Sequence, residues 1–100
     1  MQKNKENIEY MLKTDGDRES GEYTGQLMRF GVLEEEFPDV TDNHYCGIKV
    51  MRQACYDYLK GKGYSDDYVI VHYCVKPGRS EKGNPKEVWT LGELQKNERD

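Results

Sequence analysis

The chain is poor in apolar stretches and in the residue groupings that build conventional active sites. No run approaches the roughly 18 consecutive apolar residues of a membrane-spanning helix, and the mean hydropathy is −1.03. The opening residues, MQKNKENIEY, carry no apolar signal segment. Three cysteines, at 46, 55 and 74, are odd in number and widely spaced, which argues against a disulfide framework and suits reduced thiols. A cytosolic protein is expected.

Sequence signatures of catalysis and metal binding are missing as well. Gly78 to Gly83 has the spacing of a phosphate loop, but Asn84-Pro85 follows in place of Lys-Ser/Thr, and the next element reads as a strand. Counting Asp15 as the first position of a calcium loop puts Ser20 where the turn needs glycine and Gln26 where a bidentate Glu belongs. There is no CxxC and no nucleophile elbow. A repeated His-Tyr-Cys, at His44, Cys46 and again at His72, Cys74, raises a zinc site in which His72, Cys74 and Cys55 would be the ligands. On a helix His44 and Cys46 would point about 160° apart, which argues against this pair as chelating. A partly buried histidine and inert core cysteines are expected, with no cofactor, no metal and no enzymatic activity.

Phenylalanine and tryptophan are scarce, at two and one, whereas tyrosine numbers eight. Much of the aromatic volume therefore carries a hydroxyl that must find a partner or lie at a surface, a composition suited to interfaces. A length of 100 residues fits one domain with a single core, its ordered part spanning about residues 4–91 and a polar tail covering 92–100. The formal net charge of −4 is unevenly distributed. From Asp15 to Asp42 nine acids face only Arg18 and Arg29, a balance of −7, and from Lys60 to Lys86 six bases face three acids, a balance of +3. Such a dipolar chain can steer a charged partner over about 8 to 10 Å at physiological salt.

Residues 4–13 read as a short helix with Ile8, Met11 and Leu12 inward. A second helix, weakened by Gly25 and Gly31, is expected over 23–37, where Tyr23, Leu27, Phe30, Leu33 and Phe37 recur at helical intervals. Pro38 ends it. The strongest pattern begins at Thr41. Over 42–61 Ile48, Met51, Cys55, Tyr58 and Leu59 share one arc of a helical wheel, and Lys49, Arg52, Gln53, Tyr56 and Lys60 share the opposite one. After Gly61 and Gly63, the run YVIVHYCV alternates as a strand, and EVWTL returns as its hairpin partner across a basic Gly/Pro-rich tip.

This order, three helices followed by a C-terminal β-hairpin in an α+β chain, resembles a winged helix-turn-helix domain. The resemblance implies DNA binding. Lys49, Arg52, Gln53, Tyr56 and Lys60 would face the major groove, and Arg79 and Lys82 on the wing would reach the backbone or minor groove. The net acidity and the tyrosine excess support a second reading. That reading is a protein-interaction module, of the accessory or inhibitor kind that phages and mobile elements encode, using Glu34, Glu35, Glu36 and Asp39 against a partner by direct contact or nucleic-acid mimicry. A homodimer suits either reading, because a two-stranded hairpin is a thin sheet that gains from further strands.

Overall fold

Phe30 and Gly31 both adopt positive φ, 49° and 80°, the backbone of a two-residue type I′ turn. They close a β-hairpin where a broken helix was expected. The computed structural model describes residues 8–17, 21–41, 47–75 and 86–96. In order these form β1 (Tyr10–Asp17), β2 (Glu22–Arg29), β3 (Val32–Thr41), α1 (Gly47–Gly61), β4 (Val69–Val75), β5 (Lys86–Thr90) and α2 (Leu91–Lys96).

The winged-helix resemblance and the three-helix layout are therefore overturned. The strands make one five-stranded mixed sheet in the order β3-β2-β1-β4-β5, antiparallel except for the central β1–β4 pair. The physical reason lies in an ambiguity of spacing. Tyr23 and Leu27 stand four apart, which puts them on one side of a helix but equally on one side of a strand. Gly25 between them resolves it, because in β2 it is a buried position whose missing side chain makes room for α1. A Cβ there would lie 2.6 Å from Met51 Sδ. The first expected helix fails in the same way, since Tyr10, Leu12 and Thr14 alternate inward along β1.

The second half follows the sequence expectation more closely. Helix α1 turns Gly47, Met51, Cys55 and Leu59 to the core. It ends in a Schellman motif, with Gly63 at φ 98°, its N–H bonded to Lys60 O at 3.0 Å and the Tyr64 N–H bonded to Leu59 O at 3.2 Å. Strands β4 and β5 pair as a hairpin, Ile70 opposite Trp89. Helix α2 starts with a capping box in which the Thr90 N–H donates to Glu93 Oε1 at 2.8 Å and the Glu93 N–H donates to Thr90 Oγ1 at 3.2 Å. Its Leu91 and Leu94 are fully buried, so Leu94, within the stretch read as a polar tail, contributes to the core. The loop carrying Arg79 and Lys82 lies outside the described residues, as do His44 and Cys46.

Both helices lie on one face of the sheet. The core between them includes Leu12, Leu27, Phe37, Met51, Leu59, Ile70, Trp89 and Leu94. Tyr23 sits where three elements meet, with Gly16 of β1 and Gly47 of α1 both against its ring, so closely that a Cβ at either glycine would overlap it. Among the described residues no helix covers the opposite face. There the strand registers align Leu33, Met28, Met11, Val71 and Val88 into one row, a single residue from each strand. The adjacent row is Glu36, Gln26, Lys13, Tyr73 and Lys86. No described helix is long and apolar enough to cross a membrane.

Candidate partner-binding surface

Strand β3 is a border of the sheet, and the four acids of the sequence reading fall along it. Strand alternation and two register shifts send them to different places. Glu34 turns inward. Its Oε2 accepts from the Tyr10 hydroxyl at 3.2 Å, the Tyr58 hydroxyl at 3.1 Å and Lys62 Nζ at 3.1 Å. Burial works to raise the Glu34 pKa, but the donors Lys62 and Tyr58 outweigh it and hold the carboxyl below its ordinary value. Glu36 instead lies on the helix-free face and accepts from Gln26 Nε2 at 3.0 Å. Asp39 is exposed and Glu35 half-buried. The acidic quartet is thus one border strand, with only part of it available to a partner.

Beside Glu34 a second carboxylate, Glu9, accepts from Arg29 and from the Tyr68 hydroxyl at 2.9 Å. Tyr10 packs edge-on against Tyr64 and Tyr68 at centroid separations of 5.7 and 6.2 Å. Burial first, then the hydrogen bond to Glu9, pushes the Tyr68 pKa up. Burial also leads the rise at Tyr10. Both phenols stay protonated and remain donors at neutral pH. Four of the eight tyrosines, Tyr10, Tyr58, Tyr64 and Tyr68, gather here and join the start of β3, the end of α1 and the Tyr64–Tyr68 loop into one network.

The β2–β3 turn stands on that platform. The Phe30 N–H donates to Glu9 O at 2.8 Å, fixing the turn to the chain before β1. The side chains at the turn point away from the core, leaving Phe30 71% and Val32 69% exposed, with Leu33 at 48%. A non-glycine residue at positive φ costs on the order of 1 kcal/mol. An exposed phenylalanine in that backbone is unfavourable twice over, and sequence reading missed it because the residue had been placed on a buried helix face.

Of the proposed DNA-facing residues on α1, Lys49 and Lys60 are exposed and Gln53 and Tyr56 half-buried, whereas Arg52 turns towards the sheet. Lys60 Nζ is 2.9 Å from Asp66, whose carboxylate also accepts from the Tyr56 hydroxyl at 3.1 Å. Gln53 donates to Asp57 at 2.9 Å. The Arg52 guanidinium lies over the Trp89 ring at 4.6 Å, and burial lowers its pKa. Lys49 is exposed beside Val50, Gln53, Ala54 and Asp57, which line a shallow open groove.

The remaining polar feature is internal. His72 on β4 is buried, its Nε2 is 3.0 Å from Thr14 Oγ1 and its ring meets Trp89 edge-on at 5.7 Å. Its Nδ1 has no hydrogen-bond partner among the described residues. Burial first, then the nearby Arg52 charge, drives its pKa down to about 3. Cys55 is equally enclosed, and burial pushes its thiol up to about 12. Among the described residues no group of three His, Cys, Asp or Glu side chains is placed to hold a metal ion, so Cys55, His72 and Cys74 do not converge. Comparison of the chain with protein-family models, curated proteins and solved structures returned no match.

Proposed function

We propose that this protein is a protein-interaction module that docks through the β2–β3 hairpin and its acidic border strand. Phe30 is the anchor, Val32 lies beside it, and Glu35 and Asp39 stand further along the same strand. The partner surface that fits is an apolar recess bordered by lysine or arginine. The observation that carries this reading is the Phe30 turn, an exposed aromatic held in a costly backbone conformation beside a hydrogen-bonded network. Aromatic anchors of this kind dominate binding energy in interfaces, while surrounding charge speeds encounter and selects partners. The cations of α1 support a nucleic-acid reading less, because Lys60 is paired with Asp66 and Arg52 turns inward over Trp89.

Replacing Phe30 with asparagine separates fold from function. Asparagine favours the type I′ conformation, so the variant is expected to gain about 0.5 to 1 kcal/mol of stability while losing partner binding by about 2 kcal/mol or more, roughly thirtyfold. Unfolding in urea and quantitative capture of interacting proteins, with wild type and Phe30→Asn in parallel, check both halves. Duplex DNA at about 50 and 200 mM salt provides the opposing result. Micromolar, salt-sensitive DNA binding that is unchanged in Phe30→Asn and lost in a Lys49→Glu, Arg52→Glu double variant would overturn the proposal.

A further inference from the structure

The two borders of the sheet are built differently. Strand β3 carries Pro38, which has no N–H, together with two register shifts and a run of acids, features that keep a further strand from adding. Strand β5, the opposite border, pairs with β4 without a shift and contains no proline. Two bonds fix the direction of its backbone groups. The Leu91 N–H donates to Tyr68 O at 3.0 Å and continues the β4–β5 ladder, whereas the Thr90 N–H turns away from β4 to Glu93 Oε1. Backbone direction alternates along a strand, so Glu87 and Trp89 bond to β4 while Lys86, Val88 and Thr90 aim their N–H and C=O groups outward. Among the described residues no strand lies beyond β5, and Val88 is 40% exposed.

We infer that the border of β5 is a self-association edge whose occupant is β5 of a second copy, laid antiparallel about a two-fold axis normal to the sheet. Two sheets then join edge to edge with their helices on the same side. Faces are conserved by such an axis, so it passes through one residue of the strand, and the three central residues are the candidates. An axis at Glu87 opposes that carboxylate to itself. An axis at Trp89 opposes Val88 to Thr90, whose N–H is already taken by Glu93. An axis at Val88 pairs Val88 with its own copy, each N–H donating to the other's C=O, and brings two exposed apolar side chains together. Glu87 then stands opposite Trp89 of the second copy, beside the Arg52 guanidinium that lies over that ring at 4.6 Å, and Lys86 stands opposite Thr90. Parallel pairing, about an axis along the strand, would set Lys86 on Lys86 and Glu87 on Glu87. Backbone bonding and charge together select a second copy in one register.

The length of the seam sets its strength. One short strand on each side is at the low end of specific interfaces, and a dimer half formed near about 100 μM follows. The Phe30 turn and the acids of β3 lie at the opposite border of the sheet, so this inference is independent of the hairpin reading, and the dimer presents one hairpin tip at each end.

Sedimentation of the full chain from about 1 to 500 μM tests it. The mass is expected to rise with concentration from the 11.7 kDa monomer towards twice that value. Amide exchange locates the seam. The Val88 N–H should exchange about threefold or more slowly at about 500 μM than at about 5 μM, while the Trp89 N–H, bonded to β4 in either state, is unchanged. Val88→Lys and Val88→Glu each change one exposed side chain and leave the fold intact by circular dichroism. Each weakens self-association about tenfold or more, because like charges meet at the axis. Mixed in equal amounts, the two variants associate again, since residue 88 of one meets residue 88 of the other. A wild-type chain that stays monomeric throughout the range overturns the inference. So does a dimer in which Val88 exchange ignores concentration, or a mixture of the two variants no better than either alone. Phe30→Asn leaves dimerisation unchanged, so loss of partner capture in that variant is read separately from self-association.

Discussion

Between pH 6.5 and about 3 the folded protein is expected to lose stability through His72 by about 1.4 kcal/mol per pH unit. The sign follows from where the proton can go. In the unfolded chain the imidazole titrates near 6.5, whereas in the fold it titrates near 3. Above pH 6.5 both states are neutral at this site and the full stability is present. Below it the unfolded chain takes up a proton that the folded chain refuses, and the equilibrium moves towards unfolding until the buried ring also protonates. Across the window the effect is on the order of 4 to 5 kcal/mol, comparable to the whole stability of a marginal domain. Glu34 and Asp66, both held below their ordinary values in the fold, also lose stabilising charge on acidification. Comparison with His72→Gln isolates the imidazole, because those carboxylates are common to both proteins. Urea unfolding at pH 7, 5 and 4 should give the variant a shallower decline by close to one proton. Parallel slopes would falsify the picture of a neutral, enclosed His72.

The second large effect is expected at Gly47. Valine there would drive a branched side chain into the ring of Tyr23, whose own Cβ would be 2.8 Å from the new Cβ. Tyr23 cannot move aside, since Gly16 of β1 closes the other side of the same ring. Overpacking of this kind costs about 1 to 3 kcal/mol and more where the backbone must shift, and here the displaced element is the first turn of α1. A cost of about 3 kcal/mol or above is expected from chemical unfolding. In a Tyr23→Leu background the same substitution should cost less by at least about 1 kcal/mol, since a smaller side chain leaves room for valine. Equal costs in the two backgrounds would mean that the Tyr23 ring does not set the approach of α1 to the sheet.

These sites also mark what the sequence makes legible. Helix α1 was readable because Ile48, Met51, Cys55, Tyr58 and Leu59 recur at mixed steps that only a helical period puts on one arc, with polar residues filling the other side. Strands β4 and β5 were readable because Val69 to Val75 is too short and too β-branched for a helix and is followed by a turn-rich segment. The N-terminal half was misread for a physical reason. Leu27 lies four residues beyond Tyr23, a separation that both periods satisfy, and the inward alternation of β1 uses Tyr10 and Thr14, of which Thr14 is buried by its contact with His72 rather than by being apolar. One signal stood in the sequence and was passed over. Thr90 followed three residues later by Glu93 is a capping box, and it announces α2. Phe30-Gly31 was harder, because nothing but position fixes a phenylalanine at positive φ. The acidic run from Glu34 to Glu36 looked like one patch, and only the register shifts of β3 turn Glu34 inward while Glu36 faces the other side.

The parallel seam between β1 and β4 has a consequence for how the chain is made. Strands β1, β2 and β3 can close on one another through short connections, and so can β4 and β5. Within the sheet the two halves join only along the flank of β1, where Thr14 and His72 meet across 58 positions of sequence. Contacts this distant are slow to form, because the loop-closure entropy is lost before any packing is gained. On the ribosome, the flank of β1 therefore stays unpaired with its own sheet until residues 69–75 have emerged, and it is then an open template for any passing strand. Translation speed through α1 sets how long that flank waits.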